Sequence, residues 1–335
     1  MFNFLSIKNN EIVLIPLAYN TFIYKLKNSK KMPVYEKDIS LQDEFIVELK
    51  EYINKIYMQD KTVKIVLDFN NIVFCNRAFE SYNGNEFLKN LIFSNFKSND
   101  LLITSRLCDC IEGLQKENDG YSIDANNIKS VTKMDYKKIY SEYVCEIFEN
   151  NNVIENNDVK FLDSSGIYSS TYIHINRIFY SFDSYMFIIY RIAEDISNFG
   201  INKIDALIST SKTGGIIATL VGKILDKKVI HCLGLGPKNT STKNIFEKIR
   251  KGNKYYVVCD FVCIGTEIKT LNTIITLSKA KLIGGISVAS YIDLSSEKYN
   301  DSILKRITTL INTKTHNINY KISGFCEDIQ EGKNE

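Results

Sequence analysis

Residues 255–270, with the sequence YYVVCDFVCIGTEIKT, constrain the fold of this chain more than any other stretch. The four apolar residues 255–258 predict a buried parallel strand. Asp260 stands at the end of that strand, residues 261–267 form a loop, and a helical run begins at Ile268. Loop N–H groups and the positive end of a helix bind phosphate, and an acid at a strand tip accepts hydrogen bonds from sugar hydroxyls.

A second strand, loop and helix precede it. Residues 204–210 (IDALIST) predict a strand, and a helical run extends to Leu225. The loop between them consists of Ser211, Lys212, Thr213, Gly214 and Gly215. The two glycines allow close backbone approach, and the helix N-terminus together with Lys212 favours an anion. A solvated loop lysine is the alternative interpretation of Lys212.

These two loops resemble those of type I phosphoribosyltransferases, which bind phosphoribosyl pyrophosphate (PRPP). The family pattern is four apolar residues, two acids, a few mixed residues and Thr-Gly-Gly-Thr; the acid pair here is Cys259-Asp260. The resemblance makes the loop at 211–215 the pyrophosphate site. It implies that ribose and its 5-phosphate contact Asp260, Cys263, Ile264, Gly265, Thr266 and Glu267.

Two residues depart from that pattern. Cys259 replaces an acid, which removes one acceptor for a ribose hydroxyl. Glu267 aligns with the last Thr, where a carboxylate about 4 Å from a phosphate is repelled by roughly 4 kcal/mol at an effective dielectric of 20. A loop one residue shorter gives Thr266 the place of that Thr and makes Glu267 a first-turn acid of the helix. We prefer this shorter alignment.

Residues 161–172 (FLDSSGIYSSTY) resemble the hood that orotate phosphoribosyltransferases fold over the acceptor base. The residues in register are Ser165, Gly166, Ser169 and Tyr172. Ser164 stands where the family has a lysine, so the accepted base is unidentified. Residues 234–242 (GLGPKNTST) correspond to the mobile catalytic loop of related transferases. The resemblance implies a catalytic role for Lys238.

The first third of the chain predicts a smaller α/β domain. Strands are expected at 11–19, 63–69 and 101–105, and helices at 41–56 and 84–93. Residues 63–88 resemble a strand–helix unit of STAS-like domains, which mostly bind partners or ligands. Asp68 is either an acid of that unit or a turn cap. The polar stretch 116–131 predicts a linker between a STAS-like domain at 1–120 and a transferase-like domain at 131–330, which opens with a helix at 135–148.

The amino-acid composition limits which classes of function remain. The 335 residues are 44% hydrophobic and carry a formal charge of +3 without a dense basic block, so we expect no nucleic-acid partner. The absence of a long apolar run or a signal-peptide pattern predicts a cytoplasmic protein without membrane contact. Eight cysteines and three histidines without metal-site spacing predict reduced thiols and no direct metal ligands.

The resemblance implies a type I phosphoribosyltransferase-like parallel sheet with flanking helices and a small hood. It also implies a pentosyltransferase that transfers ribose 5-phosphate from PRPP to an unidentified base, with Mg²⁺ bound through the pyrophosphate. Its setting would be nucleotide metabolism or a nucleotide-targeting defence system. A homodimer is expected. The alternative is a catalytically weakened sensor of PRPP or nucleotides. A third hypothesis is a regulator that binds a protein partner through the N-terminal domain.

Overall fold

The strand that carries Asp260 lies in the middle of a five-stranded parallel sheet, as its apolar run predicts. Tyr255, Tyr256, Val257 and Val258 are each exposed by 2% or less. Neighbouring strands on both sides and helices on both faces bury this run.

A computed structural model describes most of the chain, and every structural statement below concerns the described residues. They are residues 4–9, 12–32, 34–37, 39–75, 91–94, 114–117, 120–123, 131–132, 135–162, 167–233, 235, 243–292, 294, 302–312 and 322–323. The chain divides into two units, Met1–Ile139 and Tyr140–Glu335.

The first unit contains a five-stranded mixed sheet. Its elements are β1 (Ile7–Asn9), β2 (Ile12–Pro16), α1 (Leu17–Asn28), β3 (Ile39–Leu41), α2 (Asp43–Gln59), β4 (Lys64–Asp68), β5 (Ile72–Cys75), β6 (Leu91–Ser94), β7 (Leu114–Glu117), β8 (Gly120–Ile123) and β9 (Val131–Thr132). The sheet order is β1-β2-β4-β6-β9, and only the β1–β2 pair is antiparallel. Two further pairs, β3 with β5 and β7 with β8, lie outside that sheet.

The second unit combines the parallel sheet with a smaller antiparallel one. Its elements are α3 (Tyr136–Asn150), which begins in the last residues of the first unit, β10 (Ile154–Leu162), β11 (Ile167–Ile173), α4 (Phe182–Gly200), β12 (Ala206–Ser209), α5 (Lys212–Ile224), β13 (Lys228–His231), α6 (Lys243–Phe246), β14 (Lys254–Val262), α7 (Thr266–Leu277), β15 (Lys281–Ser290), β16 (Ile307–Asn312) and β17 (Ile322–Ser323). The parallel sheet has the order β13-β12-β14-β15-β16, and the antiparallel sheet has the order β10-β11-β17.

Helices α5 and α7 cover opposite faces of the parallel sheet. Ile208 and Cys259 belong to one core cluster with Leu271 of α7. Side chains alternate between faces along a strand, so Leu207 and Ser209 point to the other face. The glycines of α5 pack there, because Ser209 Oγ lies 3.0 Å from the position of a Cβ on Gly214. The two helices following β12 and β14 therefore approach the carboxyl edge of the sheet from its two sides.

Two expectations for helices and strands of the first unit are wrong, and one lies outside the described residues. The strand expected at 11–19 ends at Pro16, where α1 begins, because proline lacks the N–H that a strand needs and is tolerated at a helix start. Residues 91–93, expected in a helix, lie in β6 because they pair with the buried strand β4. The strand expected at 101–105 and the remainder of the helix expected at 84–93 lie outside the described residues.

The expected linker at 116–131 also differs from the structure. Parts of it form the antiparallel pair β7–β8, and Val131 pairs with Phe93 in the sheet of the first unit. The two compact units divide at 139/140. The expected domains at 1–120 and 131–330 stay predictions. Asp68 Oδ1 accepts the N–H of Asn70 at 2.9 Å, which is the geometry of a turn cap. The resemblance of the first unit to STAS-like domains stays a prediction.

The helices and strands expected in the second unit are confirmed with small changes at their ends. The main difference is the loop after Asp260, expected over 261–267: β14 continues to Val262 and α7 begins at Thr266, so only three residues separate strand and helix. Near the end of this unit a 3₁₀ helix at Ile303–Arg306 is followed by β16, and β17 comes later in the chain. No helix among the described residues is long and apolar enough to cross a membrane.

Candidate functional site

Two neighbouring strands of the parallel sheet end side by side, and each leads into a helix. Strands β12 and β14 pair in parallel, with Ile208 opposite Val257. Helix α5 begins at Lys212, three residues after β12, and α7 begins at Thr266, four residues after β14. Both positive helix ends therefore lie at one edge of the sheet, the edge where open α/β sheets bind ligands.

A hydrogen bond joins the two loops at this edge. The Ser211 hydroxyl donates to Asp260 Oδ1 at 2.7 Å and accepts the N–H of Gly214 at 2.9 Å. The same carboxylate oxygen accepts the N–H of Phe261 at 3.0 Å. Ser211 is thus both the N-cap of α5 and the residue that holds the Asp260 carboxylate in place.

Gly214 is required by this close approach. A Cβ at Gly214 would lie 2.7 Å from Ser211 Oγ and 3.0 Å from the backbone nitrogen of Asp260. Any side chain would therefore push the first turn of α5 away from the end of β14. The sequence predicts the glycine as a point of approach for an anion, and the structure shows that it also admits the neighbouring strand.

A cavity of about 230 Å³ opens between the two loops. Its walls include the carboxylates of Asp260 and Glu267, the hydroxyl-bearing side chains of both loops, and the backbone leading into α7. The lining residues are Thr210, Ser211, Cys259, Asp260, Phe261, Val262, Cys263, Ile264, Gly265, Thr266, Glu267 and Ile268. All six residues predicted for the ribose and 5-phosphate site line this one cavity.

The N-terminus of α7 faces the cavity without a side-chain cap. Gly265 precedes the helix with φ of 78°, a left-handed conformation that glycine adopts without strain. No side chain accepts a hydrogen bond at this described helix end, whereas Ser211 caps α5. Glu267 lies in the first turn of α7, the position given by the shorter of the two alignments.

Burial raises the pKa of both acids in the cavity. The pKa of Asp260 is raised by burial, against which the hydrogen bond from Ser211 lowers it. Burial likewise raises the pKa of Glu267, with a smaller upward contribution from the Asp260 charge and a lowering by a hydrogen bond from Thr210. The pKa of the buried Cys259 thiol is raised by burial and then by the two carboxylates, so the thiol is neutral. Clustered groups with perturbed pKa values are typical of functional sites.

The predicted pyrophosphate residues form the first turn of α5. Lys212 is exposed and Thr213 is half-buried, whereas Gly214 and Gly215 are buried. A Cβ at Gly215 would lie 3.0 Å from Nδ1 of His231, at the end of β13. The sequence does not predict that His231 lies beside this loop.

The predicted hood strand β11 lies next to the cavity loop. Ile173, the last residue of β11, packs against a small cluster made of Cys263 and Tyr291, and Phe261 joins it with its ring centroid 4.7 Å from that of Tyr291. The predicted residue Tyr172 therefore lies one position from this contact. Its ring stacks with the His174 ring at 6.3 Å.

The remaining predicted residues are placed only in part. Ser169 pairs with Lys160 of β10 and with Ile322 of β17, which places it within the antiparallel sheet. Ser165, Gly166 and Lys238 lie outside the described residues.

The sequence predicts neither Thr210 as a residue of the site nor the hydrogen bond between Ser211 and Asp260. Thr210 directly follows β12, and its hydroxyl contacts Cys259 and Glu267. The available signal was the run of hydroxyl side chains at 209–211 at the end of a buried strand. That signal becomes specific only when the neighbouring strand is known to be β14.

Comparison with solved structures finds proteins that are similar in fold and low in sequence identity to this chain. No protein-family model matches the chain, and no curated protein matches it. Orotate phosphoribosyltransferase from Aeropyrum pernix is 16% identical, with a TM-score of 0.39 over 51% of this chain and 95% of that one. Adenine phosphoribosyltransferase from Trypanosoma brucei is 9% identical, with a TM-score of 0.40 over 51% and 80%. UMP synthase from Leishmania donovani is 10% identical, with a TM-score of 0.41 over 82% and 83%.

Each of these TM-scores lies below 0.5. We therefore base the functional proposal on the geometry of this chain.

Proposed function

We propose that the second unit binds PRPP and transfers ribose 5-phosphate to an unidentified base with release of pyrophosphate. One observation carries this proposal: the Ser211–Asp260 hydrogen bond joins two helix N-termini and a carboxylate around one cavity. A ligand that fits has an anionic group at each end and hydroxyls between them. PRPP has this arrangement.

The end of α7 supports the placement of the 5-phosphate. An α-helix leaves its first N–H groups without partners inside the helix, and those of Thr266, Glu267 and Ile268 belong to residues that line the cavity. Asp260 would accept hydrogen bonds from the ribose hydroxyls through Oδ2, because the hydrogen bonds from the Ser211 hydroxyl and the Phe261 N–H both go to Oδ1.

The end of α5 supports the placement of the pyrophosphate. The N–H of Gly214 is taken by Ser211, so an anion would use those of Lys212 and Thr213 together with the Lys212 ammonium. Mg²⁺ would enter as part of the substrate, bound by pyrophosphate oxygens.

The chemistry would be mostly positioning and electrostatic stabilisation. The bond between C1 of ribose and a pyrophosphate oxygen breaks, and the electron pair leaves with pyrophosphate. A nitrogen of the base bonds to C1 and gives its proton to the released pyrophosphate or to water. Asp260 would favour the positive charge that develops on the sugar ring. Base contacts are proposed for Ser165, Gly166, Ser169 and Tyr172 of the hood segment, and a catalytic role for Lys238.

A PRPP or nucleotide sensor is the second candidate, and Cys259 is the observation that favours it. The thiol is 3% exposed and uncharged, so β14 supplies one carboxylate at its end. A site that binds the sugar with less charge stabilises the transition state less.

The deciding experiment measures pyrophosphate release from Mg–PRPP over a panel of nucleobases. We expect release with one base, and a loss of turnover of about 10²-fold or more in Asp260→Asn, because one preorganised charge is removed. PRPP affinity should fall by less, since the charge acts more strongly in the transition state. Binding of PRPP without release on any base would favour the sensor. Absence of PRPP binding would refute the transferase and the PRPP sensor, and would direct attention to nucleotides and to the first unit.

A homodimer, a protein partner of the first unit and a cytoplasmic location stay predictions.

A further inference from the structure

The end of β14 is flanked by two carboxylates that come from different elements. Asp260 belongs to the strand and is held by Ser211. Glu267 belongs to the first turn of α7 and lines the same cavity. The two acids are close enough for the charge of Asp260 to act on Glu267. Two carboxylates brought together at a cavity repel each other, so their pairing calls for a reason other than stability.

Thr210 shows where the Glu267 carboxyl lies. Thr210 lines the same cavity as Cys259 and Glu267, and its hydroxyl acts to lower the pKa of both groups against the effect of burial. Since β12 and β14 pair in parallel with Ile208 opposite Val257, the alternation of side chains puts Thr210 and Cys259 on the same face of the sheet. Helix α7 covers that face, and its residue Leu271 shares a core cluster with Cys259. The Glu267 carboxyl is therefore beside the Cys259 side chain, across the strand end from Asp260.

We propose that Glu267 is a ribose-binding residue that takes the place of the acid missing at position 259. Its carboxylate accepts a hydrogen bond from one sugar hydroxyl while Asp260 accepts from another, so the site holds a diol between two acids. This inference rests on the proposed function, because it assigns a role at the PRPP site.

The position of the Glu267 side chain also reduces the repulsion expected between its carboxylate and a phosphate. The carboxyl lies on the same cavity as Thr210 at the end of β12, and the N-cap residue of α7 is Gly265, which has no side chain to accept a hydrogen bond. The first-turn N–H groups of α7 are therefore left for the 5-phosphate, and the Glu267 side chain is directed to the region between β12 and β14. One residue then serves the sugar through its side chain and the phosphate through its backbone.

The test compares ligands with and without sugar hydroxyls on the full chain. Binding of Mg–PRPP, ribose 5-phosphate and inorganic phosphate is measured by calorimetry for the parent, Glu267→Gln and the control Glu149→Gln, whose side chain is exposed on α3. We expect Glu267→Gln to weaken PRPP and ribose 5-phosphate by about 10-fold, the effect of one hydrogen bond to a charged group. Binding of inorganic phosphate should be unchanged or tighter, because a negative charge is removed. The control should bind all three ligands like the parent.

A second variant tests the replacement directly. Adding Cys259→Asp to Glu267→Gln should restore at least half of the lost affinity for ribose 5-phosphate, provided that thermal unfolding shows the double variant to be folded. If Glu267→Gln binds ribose 5-phosphate as tightly as the parent, or tightens all three ligands equally, Glu267 is no sugar acceptor and the inference fails while the proposed function stands. If the parent binds neither PRPP nor ribose 5-phosphate, the proposed function itself fails.

Discussion

Replacing Ser211 by alanine tests the bond that joins the two loops. The substitution removes the hydrogen bond to Asp260 at 2.7 Å and the cap on the N–H of Gly214 at 2.9 Å. A lost N-cap costs about 1 kcal/mol, and a lost hydrogen bond to a buried carboxylate costs about 2 kcal/mol. We expect Ser211→Ala to lower the free energy of unfolding of the second unit by about 3 kcal/mol.

The lost cap and the lost Asp260 bond lower the free energy of unfolding with different dependences on pH. Burial raises the folded-state pKa of Asp260 above its ordinary value of 3.8, while the bond from Ser211 stabilises the charged form. An acid with a raised folded pKa favours folding most below its unfolded pKa, and stability is lost as pH rises and the buried group ionises. The deficit from the lost Asp260 bond should therefore be small near pH 4 and grow as pH rises towards 8. The deficit from the lost cap should be present at every pH.

Ser181→Ala is the matched control, because Ser181 caps α4 through the N–H of Ser184 at 3.4 Å. Chemical denaturation of both variants between pH 4 and 8 is the assay. The control should lose about 1 kcal/mol or less, with little change across that range. Equal losses for the two variants at pH 8, or a Ser211→Ala deficit that does not grow with pH, would refute the argument that Ser211 holds the Asp260 carboxylate.

Two further substitutions probe the packing around the site. Gly214→Ala should lower the free energy of unfolding by about 1–3 kcal/mol, because its Cβ would lie 3.0 Å from the Asp260 backbone nitrogen. This loss is expected even though alanine favours helices more than glycine does. Unchanged or higher stability in denaturant would contradict the prediction. Glu194→Gln should cost about 3–5 kcal/mol, because it leaves the buried Arg191 guanidinium without its carboxylate partner. Thermal and chemical unfolding of this variant and of the exposed control Glu149→Gln measure the loss of stability. A loss equal to that of the control would contradict the prediction.

Much of the second unit follows from local patterns in the sequence. The apolar runs of β12 and β14 predict buried parallel strands, because a strand covered on both faces needs no polar side. The glycines after each run predict the two helix starts. These features depend only on residues near one another in the chain, and for that reason they can be recognised without a partner strand.

Local patterns failed where pairing overrides them. Residues 91–93 lie in β6 because β4 offers a buried partner, and Val131 extends the same sheet rather than a linker. The strand carrying Asp260 runs two residues beyond it, because β15 continues alongside it. Such extensions depend on the neighbouring strand, about which the local sequence carries no information.

The local sequence predicts two loops that each lead into a helix, at 211–215 and 261–267, and the acid Asp260 before the second loop. The pairing of β14 with β12 is visible only in the folded chain, because β13 and α6 lie between them in the sequence. That order brings Ser211 to Asp260 and Thr210 to Glu267. The physical reason is that strand order results from covering both faces of the sheet with helices, a condition on the whole unit.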